Sequence, residues 1–371
     1  DGAAVMWDLG IEQGPFSTLN AYLLRLLPAL TGNLLREGGM MFMTGFTPVA
    51  SARERSPQER SLVADIPAIR ALGNYGMLSP NLFPEEVLND HPERLRAVVV
   101  EGANPLRSYA DTPRWEEAFA ALDLKVVIEP AMTETARLAD YVLPTPTGYE
   151  KWEISGFAGG FNDVRIQLRP PVVPALEGPL PEPEIYVRLA EAMGLFGPPP
   201  PLLRALGRAG GTALGRKAFL GAALASAALA GKRARNGTQN RALFWTYRAL
   251  GPRFRSPALA AIWLVSHGNA IERRAAVARA LSDAGPRRLF SRLDPFALGE
   301  AMFQRILEQP EGALVIRHGA ADHWDRHVGY ADGRVRMSPA PMMAEIARAL
   351  AAPERADPEF PWILAAGLRT R

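Results

Sequence analysis

The sequence predicts an α/β protein: a doubly wound, mostly parallel sheet with helices on both faces, plus a helical insertion. Three observations carry that expectation. Short β-branched runs alternate with amphipathic segments between Glu85 and Leu143. The first clear run, Arg96 to Glu101, feeds straight into the turn Gly102-Ala103-Asn104-Pro105. An alanine-rich stretch without a single Asp or Glu then extends from Ala192 to Ile271.

Taken in order, Ser17 is a candidate N-cap for a helix through Tyr22, Leu23, Leu26, Leu27 and Leu30, stopped by Thr31-Gly32-Asn33, with a kink expected at Pro28. A second helix is predicted from Leu62 to Leu72. The alternation follows: helix Glu85 to Asn89, strand Leu95 to Glu101, helix Pro113 to Leu122, strand Lys125 to Glu129, helix Glu134 to Ala139, strand Tyr141 to Leu143. Parallel strands joined this way take right-handed crossovers. Residues 151–181, rich in Gly and Pro, read as irregular, and a helix from Glu184 to Met193 closes the unit. Leu202 to Leu281 reads as helical. A helix over Pro295 to Leu307, strands at Ala313 to Arg317 and Arg334 to Met337, a helix over Pro341 to Leu350 and a strand at Trp362 to Ala365 complete the pattern. Three domains are expected: 1–199 as the α/β unit, 200–294 as a basic helical insertion, and 295–371 as a return to the α/β core and the start of a truncated further domain.

Composition limits the chemistry. The 371 residues contain no cysteine, so disulfides, thiolate zinc sites, iron–sulfur ligation and a cysteine nucleophile are excluded within them. Asp1 stands first with no secretory pattern after it, which reads as a fragment or processed chain; the cytoplasm is the default compartment. The net charge of +3 hides an uneven distribution, because the acid-free stretch holds Arg204, Arg208, Arg216, Lys217, Lys232, Arg233, Arg235, Arg241, Arg248, Arg253 and Arg255. That stretch is expected to present a basic face to an acidic partner subunit or an anionic membrane surface, unless acids of the same chain such as Glu85, Glu86 and Asp90 cover it.

The strand-ending turns are where chemistry belongs, since ligands of parallel sheets settle at the carboxyl edge. At Gly102-Ala103-Asn104-Pro105, glycine allows close backbone approach and asparagine offers both a donor and an acceptor. Glu129 ends the next strand, and a carboxylate there can accept two hydrogen bonds from a guanine edge. Taken singly, these residues read better as an ordinary turn and as a solvated strand end followed by Thr133 as a helix N-cap.

Their combination resembles a known family. Gly102-Ala103-Asn104-Pro105-Leu106, Val126-Val127-Ile128-Glu129, Thr133-Glu134-Thr135-Ala136 and Ala139-Asp140-Tyr141-Val142-Leu143-Pro144 are similar, in order and spacing, to the run that marks the molybdopterin oxidoreductases, related to formate dehydrogenases and periplasmic nitrate reductases. Upstream, Leu9-Gly10-Ile11-Glu12-Gln13, Leu30-Thr31-Gly32-Asn33 and Gly38-Gly39 resemble the preceding stretch, so the likeness covers residues 8 to about 195. The resemblance implies a molybdenum bis(molybdopterin guanine dinucleotide) cofactor, of which these residues would hold one dinucleotide. It implies that Gly10 and Gln13 belong to the cofactor site, with Gln13 at the pterin or its phosphates. Asn104 and Ser108 would meet the guanosine, Glu129 the end of the dinucleotide, Thr145 the cofactor from the next strand end, and Glu182 the guanine. Gly102 shapes the turn beneath them. Glu150, Asn162, Arg165 and Gln167 look like a degraded form of a family stretch, in which Lys151-Trp152-Glu153 replaces a glycine. Pro361 to Gly367 resembles the first strand of the barrel-like domain that covers the cofactors. The 4Fe–4S cluster and the metal's protein ligand that the family implies have no counterpart here, so neither a catalytic residue nor a metal ligand is expected among these residues, and the chain alone is expected to be inactive.

Other signals weigh less. His318, His323 and His327 lie near Asp322 and Asp325, a spacing compatible with zinc, but the brief segment between Gly319 and Gly329 favours a surface loop. The apolar run Ala218 to Gly231 is shorter than the roughly 20 residues a spanning helix needs. No nucleic-acid module accompanies the basic stretch. Two alternatives to the enzyme segment remain: a non-catalytic scaffold subunit of a larger redox complex, and a plain nucleotide-binding domain, against which the lack of a Gly-x-Gly-x-x-Gly or Walker loop counts.

Overall fold

The computed structural model describes residues 2–7, 9–12, 16–42, 44–47, 62–63, 80–155, 162–229, 235–282, 294–328 and 332–351. The expected helix over 62–72 (beyond Val63) and the strand over 362–365 lie outside the described residues. The chain divides into two units, one of Asp1–Thr44, Gly160–Asn162 and Arg317–Arg371, the other of Gly45–Gly159 and Asp163–Ile316. The expected boundaries near 199 and 294 both fall inside the second unit.

In the first unit, a four-residue helix α1 (Leu9–Glu12) precedes α2 (Ser17–Leu30). Ser17 is the first helical residue and not the cap; that position belongs to Phe16, whose φ of 60° is left-handed and which makes no side-chain capping bond. Pro28 lies in the last turn of α2, and Thr31 closes the helix by returning its N–H to Leu27 at 3.1 Å.

The second unit opens with α3 (Phe83–Leu88), after which β1 (Ala97–Glu101), α4 (Pro105–Ser108), α5 (Thr112–Ala121), β2 (Leu124–Ile128), α6 (Glu134–Arg137) and β3 (Tyr141–Leu143) follow. The strands form one parallel sheet in the order β1-β2-β3. Each helix begins for a local reason. Asp111 accepts the Arg114 N–H at 3.3 Å ahead of α5, and the Thr133 hydroxyl accepts the Ala136 N–H at 3.1 Å ahead of α6. Their apolar faces meet the sheet in a core of Val87, Val100, Trp115, Phe119, Val127 and Ala136.

Residues 151–181, expected to be irregular, contain β4 (Glu153–Ser155) and β5 (Asp163–Arg169), paired antiparallel from Glu153 with Arg169 to Ser155 with Gln167. Val164, Ile166 and Leu168 alternate inward with Arg165 and Gln167 outward, a period-two pattern that the surrounding glycines and prolines obscured. Then come α7 (Glu182–Ala192), α8 (Pro201–Arg208), α9 (Ala213–Leu229), α10 (Arg235–Ala249), α11 (Leu259–Glu272), α12 (Arg274–Ser282), α13 (Pro295–Glu308) and β6 (Ala313–Arg317). The second sheet runs β4-β5-β6. The described part of the predicted helical stretch is thus a series of helices, α8 to α12, joined by turns, and it shares one core with this sheet: Ile166, Phe219, Leu250, Trp263 and Phe303 belong to a single buried cluster. No helix among the described residues is long and apolar enough to cross a membrane.

Returning to the first unit, α14 (Ala320–His327) and α15 (Ala340–Ala351) complete the order. His318 and His323 do not occupy a surface loop. Asp322 accepts the Gly319 N–H at 2.8 Å and starts α14, while His323 is fully buried and lies 3.0 Å from Asn162 through Nε2. His318 is buried as well, its ring 5.3 Å from that of His323. The strand expected at Arg334 to Met337 is also absent. Gly333 turns at φ 62°, and Asp332 then takes the Arg334 N–H at 3.1 Å and the Arg336 guanidinium at 2.8 Å, a local arrangement that draws the backbone away from a ladder.

Candidate functional site at the sheet edge

Register places the three parallel strand ends level with one another, because Glu101 pairs with Ile128 and Ile128 with Leu143. The turns that leave them share one carboxyl edge. Gly102 leaves β1 with φ +56°, a conformation that L side chains rarely adopt, and nothing lies within 4 Å of where a Cβ would stand. Its N–H donates to Ile128 at 3.1 Å, just as that of Glu129 donates to Leu143 at 3.3 Å.

Asn104 is the organising residue of this edge. Its Oδ1 accepts from the Thr135 hydroxyl at 2.7 Å and the Thr135 N–H at 3.3 Å, and its Nδ2 donates to Glu134 at 2.6 Å. Glu134 also meets Arg107 at 3.2 Å. The Asn104 bond, the residue's own N–H and Arg107 together hold the Glu134 carboxyl below its ordinary value. Sequence reasoning treated Asn104 as a free ligand group, whereas it first ties the β1 turn to the start of α6. Thr135 and Glu134 were missed in that role, since a side-chain bond across 31 positions leaves no trace in one sequence. Ser108 lies exposed at the end of α4. The Glu129 side chain is half-exposed and makes no hydrogen bond or ion pair with the described residues. A cavity of about 270 Å³ opens beside the β1 turn, lined by Val99, Glu101, Ala103, Pro105, Tyr109 and Trp115 among others.

At the third strand end, Leu180 donates its N–H to Pro144 at 3.1 Å and draws the start of α7 to the turn after β3. Thr145, next in the chain, is 5% exposed, and its buried hydroxyl has no hydrogen-bond partner among the described residues. Glu182, the first residue of α7, is held by the ammonium of Lys151. Lys151 is thus the residue that changes this corner most, and its place in the sequence was noted without its partner. Glu150 shapes the adjoining turn: its carboxylate accepts from the Thr147 N–H and hydroxyl, both at 2.8 Å, and from Leu176 at 3.2 Å, which together lower its pKa. Tyr186 donates to Glu101, and burial followed by that carboxylate raises its phenol pKa.

The structure therefore brings Gly102, Asn104, Ser108, Glu129, Thr145 and Glu182 to turns and helix ends of one sheet edge. Gly10 lies exposed on α1 in the first unit, and Gln13 lies outside the described residues. Arg165 and Gln167 are on the exposed side of β5, and Asn162 is engaged with His323. Among the described residues no three His, Cys, Asp or Glu side chains form a group able to hold a metal ion.

Residues 18–190 match the family model described as molybdopterin oxidoreductase. The chain is 30% identical over 209 residues to the F420-dependent formate dehydrogenase 2 subunit alpha of Methanococcus maripaludis, a match covering 52% of this chain and 29% of that protein. It is 34% identical over 101 residues to the trimethylamine-N-oxide reductase of Haemophilus influenzae, covering 27% and 12%. Over 70 residues it is 39% identical to the probable oxidoreductase YyaE of Bacillus subtilis, covering 19% and 10%. These matches span less than a third of each relative's length.

Proposed function

We propose that this chain, whose residues 18–190 match the molybdopterin oxidoreductase model, acts as a member of that family: the carboxyl edge of β1-β2-β3 binds one molybdopterin guanine dinucleotide and orients it for electron or oxygen-atom transfer with a small substrate. The observation that carries this reading is the Thr145 hydroxyl, buried and without a partner among the described residues at the end of β3. A buried hydroxyl left unpaired costs about 1–3 kcal/mol, so a ligand atom that bonds it recovers a cost the fold already bears. Glu129 fits the same group: its carboxylate is free to accept a paired N–H and amino group, the donor pattern of a guanine edge. Gly102 lets the β1 turn approach a ligand without a Cβ in the way.

When bound, the cofactor supplies the redox chemistry. The chain's own residues bind and orient. Asn104, fixed by Thr135 and Glu134, keeps the β1 turn in one conformation; Ser108 adds an exposed hydroxyl one helical turn on; Thr145 and Glu182 approach from the third strand end. Thiolate ligation, whether of a cluster or of the metal, has no residue here to support it.

One observation favours a second reading, a scaffold that kept the fold without the cofactor: Asn104 and Glu182 already spend hydrogen bonds on Thr135, Glu134 and Lys151. Metal and nucleotide content of the purified full-length protein decides between them. One molybdenum and two guanine nucleotides per protein, both reduced in Glu129→Ala and Thr145→Val, support the binding role. A protein with neither group, or variants that load like the wild type, would overturn it.

A further inference from the structure

The basic stretch draws counter-charges from within the second unit. Arg248 meets Glu184 at 3.0 Å and Glu191 at 2.6 Å, Arg216 binds Glu300, and Lys217 reaches Asp294 at 3.0 Å. These acids belong to α7 and to α13 with its cap, and not to α3, where Glu85 and Glu86 meet Arg114 and the Leu62 N–H. The outer edge of β1 is different. β1 stands at the end of the sheet order, and the Arg96 carbonyl accepts from Leu124 at 3.3 Å while the Gly102 N–H donates to Ile128 at 3.1 Å. Backbone groups alternate sides along a strand, so those of Arg96, Val98, Val100 and Gly102 serve β2 and those of Ala97, Val99 and Glu101 point away from it. None of the outward backbone groups hydrogen-bonds to the described residues.

The cavity beside the β1 turn runs along this open edge, since Val98, Val99, Val100 and Glu101 all line it, together with Phe83, Tyr109 and Trp115. The three rings form one stack. Phe83 and Trp115 lie 4.8 Å apart at 10°, Tyr109 and Trp115 lie 5.2 Å apart at 18°, and Tyr109, which ends the stack, is 38% exposed. A wall of near-parallel rings favours a flat π system. On the strand edge beside it, the Val99 carbonyl and the Glu101 N–H stand next to each other, an acceptor beside a donor. The volume of about 270 Å³ is close to the lower bound of about 300 Å³ for small-molecule sites, a size for one ring system and not for a dinucleotide. No Lys or Arg is among the described lining residues, and the carboxylate that lines it, Glu101, is held by the Tyr186 hydroxyl. A phosphate gains nothing there.

We propose that this cavity binds an uncharged purine nucleoside by a ring edge that carries an N–H donor beside an acceptor. In adenosine, the exocyclic amino group donates to the Val99 carbonyl, the neighbouring ring nitrogen accepts from the Glu101 N–H, and the ring lies against Tyr109. The site is separate from the proposed dinucleotide edge. It lies on the side of β1 away from β2, whereas Glu129 and Thr145 follow β2 and β3.

The test is isothermal titration of the full-length protein with adenosine. One-to-one binding is expected, with little dependence on salt because no ion pair forms. N6,N6-dimethyladenosine keeps the ring and loses the N–H, and should bind about tenfold more weakly. Tyr109→Ala removes the exposed end of the stack and should weaken adenosine about tenfold as well. Ala103→Leu fills the cavity from the turn without touching the core and should abolish binding; unchanged thermal unfolding identifies that loss as one of the site. Glu129→Ala should bind adenosine as the wild type does, whatever it does to guanine nucleotide retention. No binding of adenosine, equal affinity for the dimethyl compound, or wild-type affinity in Tyr109→Ala or Ala103→Leu would each overturn the proposal. Loss of adenosine binding in Glu129→Ala would also overturn it, by moving the nucleoside to the dinucleotide edge.

Discussion

Two regions of the second unit use polar side chains in opposite ways. At the edge of the parallel sheet, polar groups sit on turns and leave capacity unspent: the Thr145 hydroxyl has no partner and the Glu129 carboxylate none among the described residues. In the helical layer around Glu300, the carboxylate is consumed by the chain itself. It accepts from Arg216 Nε at 3.0 Å and from the Trp263 indole at 2.6 Å, with His267 Nε2 a further 3.5 Å away. The first arrangement leaves capacity for the proposed dinucleotide; the second fixes how helices pack. The comparison teaches that spare hydrogen-bonding capacity, more than charge, separates a binding edge from a structural one.

The contrast is most open to attack at Glu300. Glu300→Ala leaves Arg216, with a side chain only 18% exposed, without its counter-ion, and should cost about 3–5 kcal/mol in urea unfolding with no specific effect on nucleotide binding. A loss under 1 kcal/mol would mean that the cluster does not lock the helices. Next comes Gly207→Ala: its added methyl must displace the α10 carbonyl 2.2 Å away, at about 1–3 kcal/mol. Unchanged stability there would contradict the close approach of α8 and α10.

At the sheet edge the same measurements should separate fold from ligand. Asn104→Ala removes bonds to Thr135 and Glu134 and should cost about 1–2 kcal/mol, besides lowering dinucleotide retention. That cost is hidden in the sequence, where Asn104 stands at the end of a strand and its partners lie 30 and 31 positions away. Thr145→Val is the finer probe. It exchanges an unpaired hydroxyl for a methyl of similar shape, so the unliganded protein should keep or gain up to about 1 kcal/mol while guanine nucleotide retention falls. If stability drops and retention does not, the hydroxyl has a structural partner.

Acid sharpens the comparison with the smallest effects. Burial pushes His267 below the ordinary imidazole value, against the pull of the Trp263 carbonyl and Glu300. The unfolded chain therefore takes up its proton first, and this contribution to stability erodes as pH falls below the ordinary histidine range. Glu134 shifts in the same direction from the ordinary carboxylate value: its contribution is complete above that value and is lost as pH falls through its depressed folded value. His267→Gln should flatten the upper limb of a stability–pH curve and leave the lower one. A curve identical to wild type in both limbs would count against the assignment.

Legibility followed chemistry's range. Strand and helix positions in the parallel unit were readable because β1, β2 and β3 are runs of Val, Ile and Leu bounded by turn residues, and α13 because Asp294 and Pro295 announce its start. β5 was not, since Asp163 to Arg169 alternates polar and apolar residues amid glycine and proline. At the candidate site the turn residues were visible as a series. What Asn104 and Glu182 already hold was not, because Thr135 and Lys151 reach them from 31 positions away.

The level ends of β1, β2 and β3 have a metric consequence. Neighbouring strands stand about 4.8 Å apart, so Gly102, Glu129 and Pro144 mark a pitch of that size across the edge, roughly 10 Å from first to last. A molecule lying along it is gauged at three stations, with Asn104 and Ser108 on the first turn, Glu129 at the second and Thr145 at the third. Lengthening any one turn by a residue would leave the strands paired while putting one station out of step with the other two; under the proposed binding role the edge would then select its dinucleotide by length as well as by chemistry.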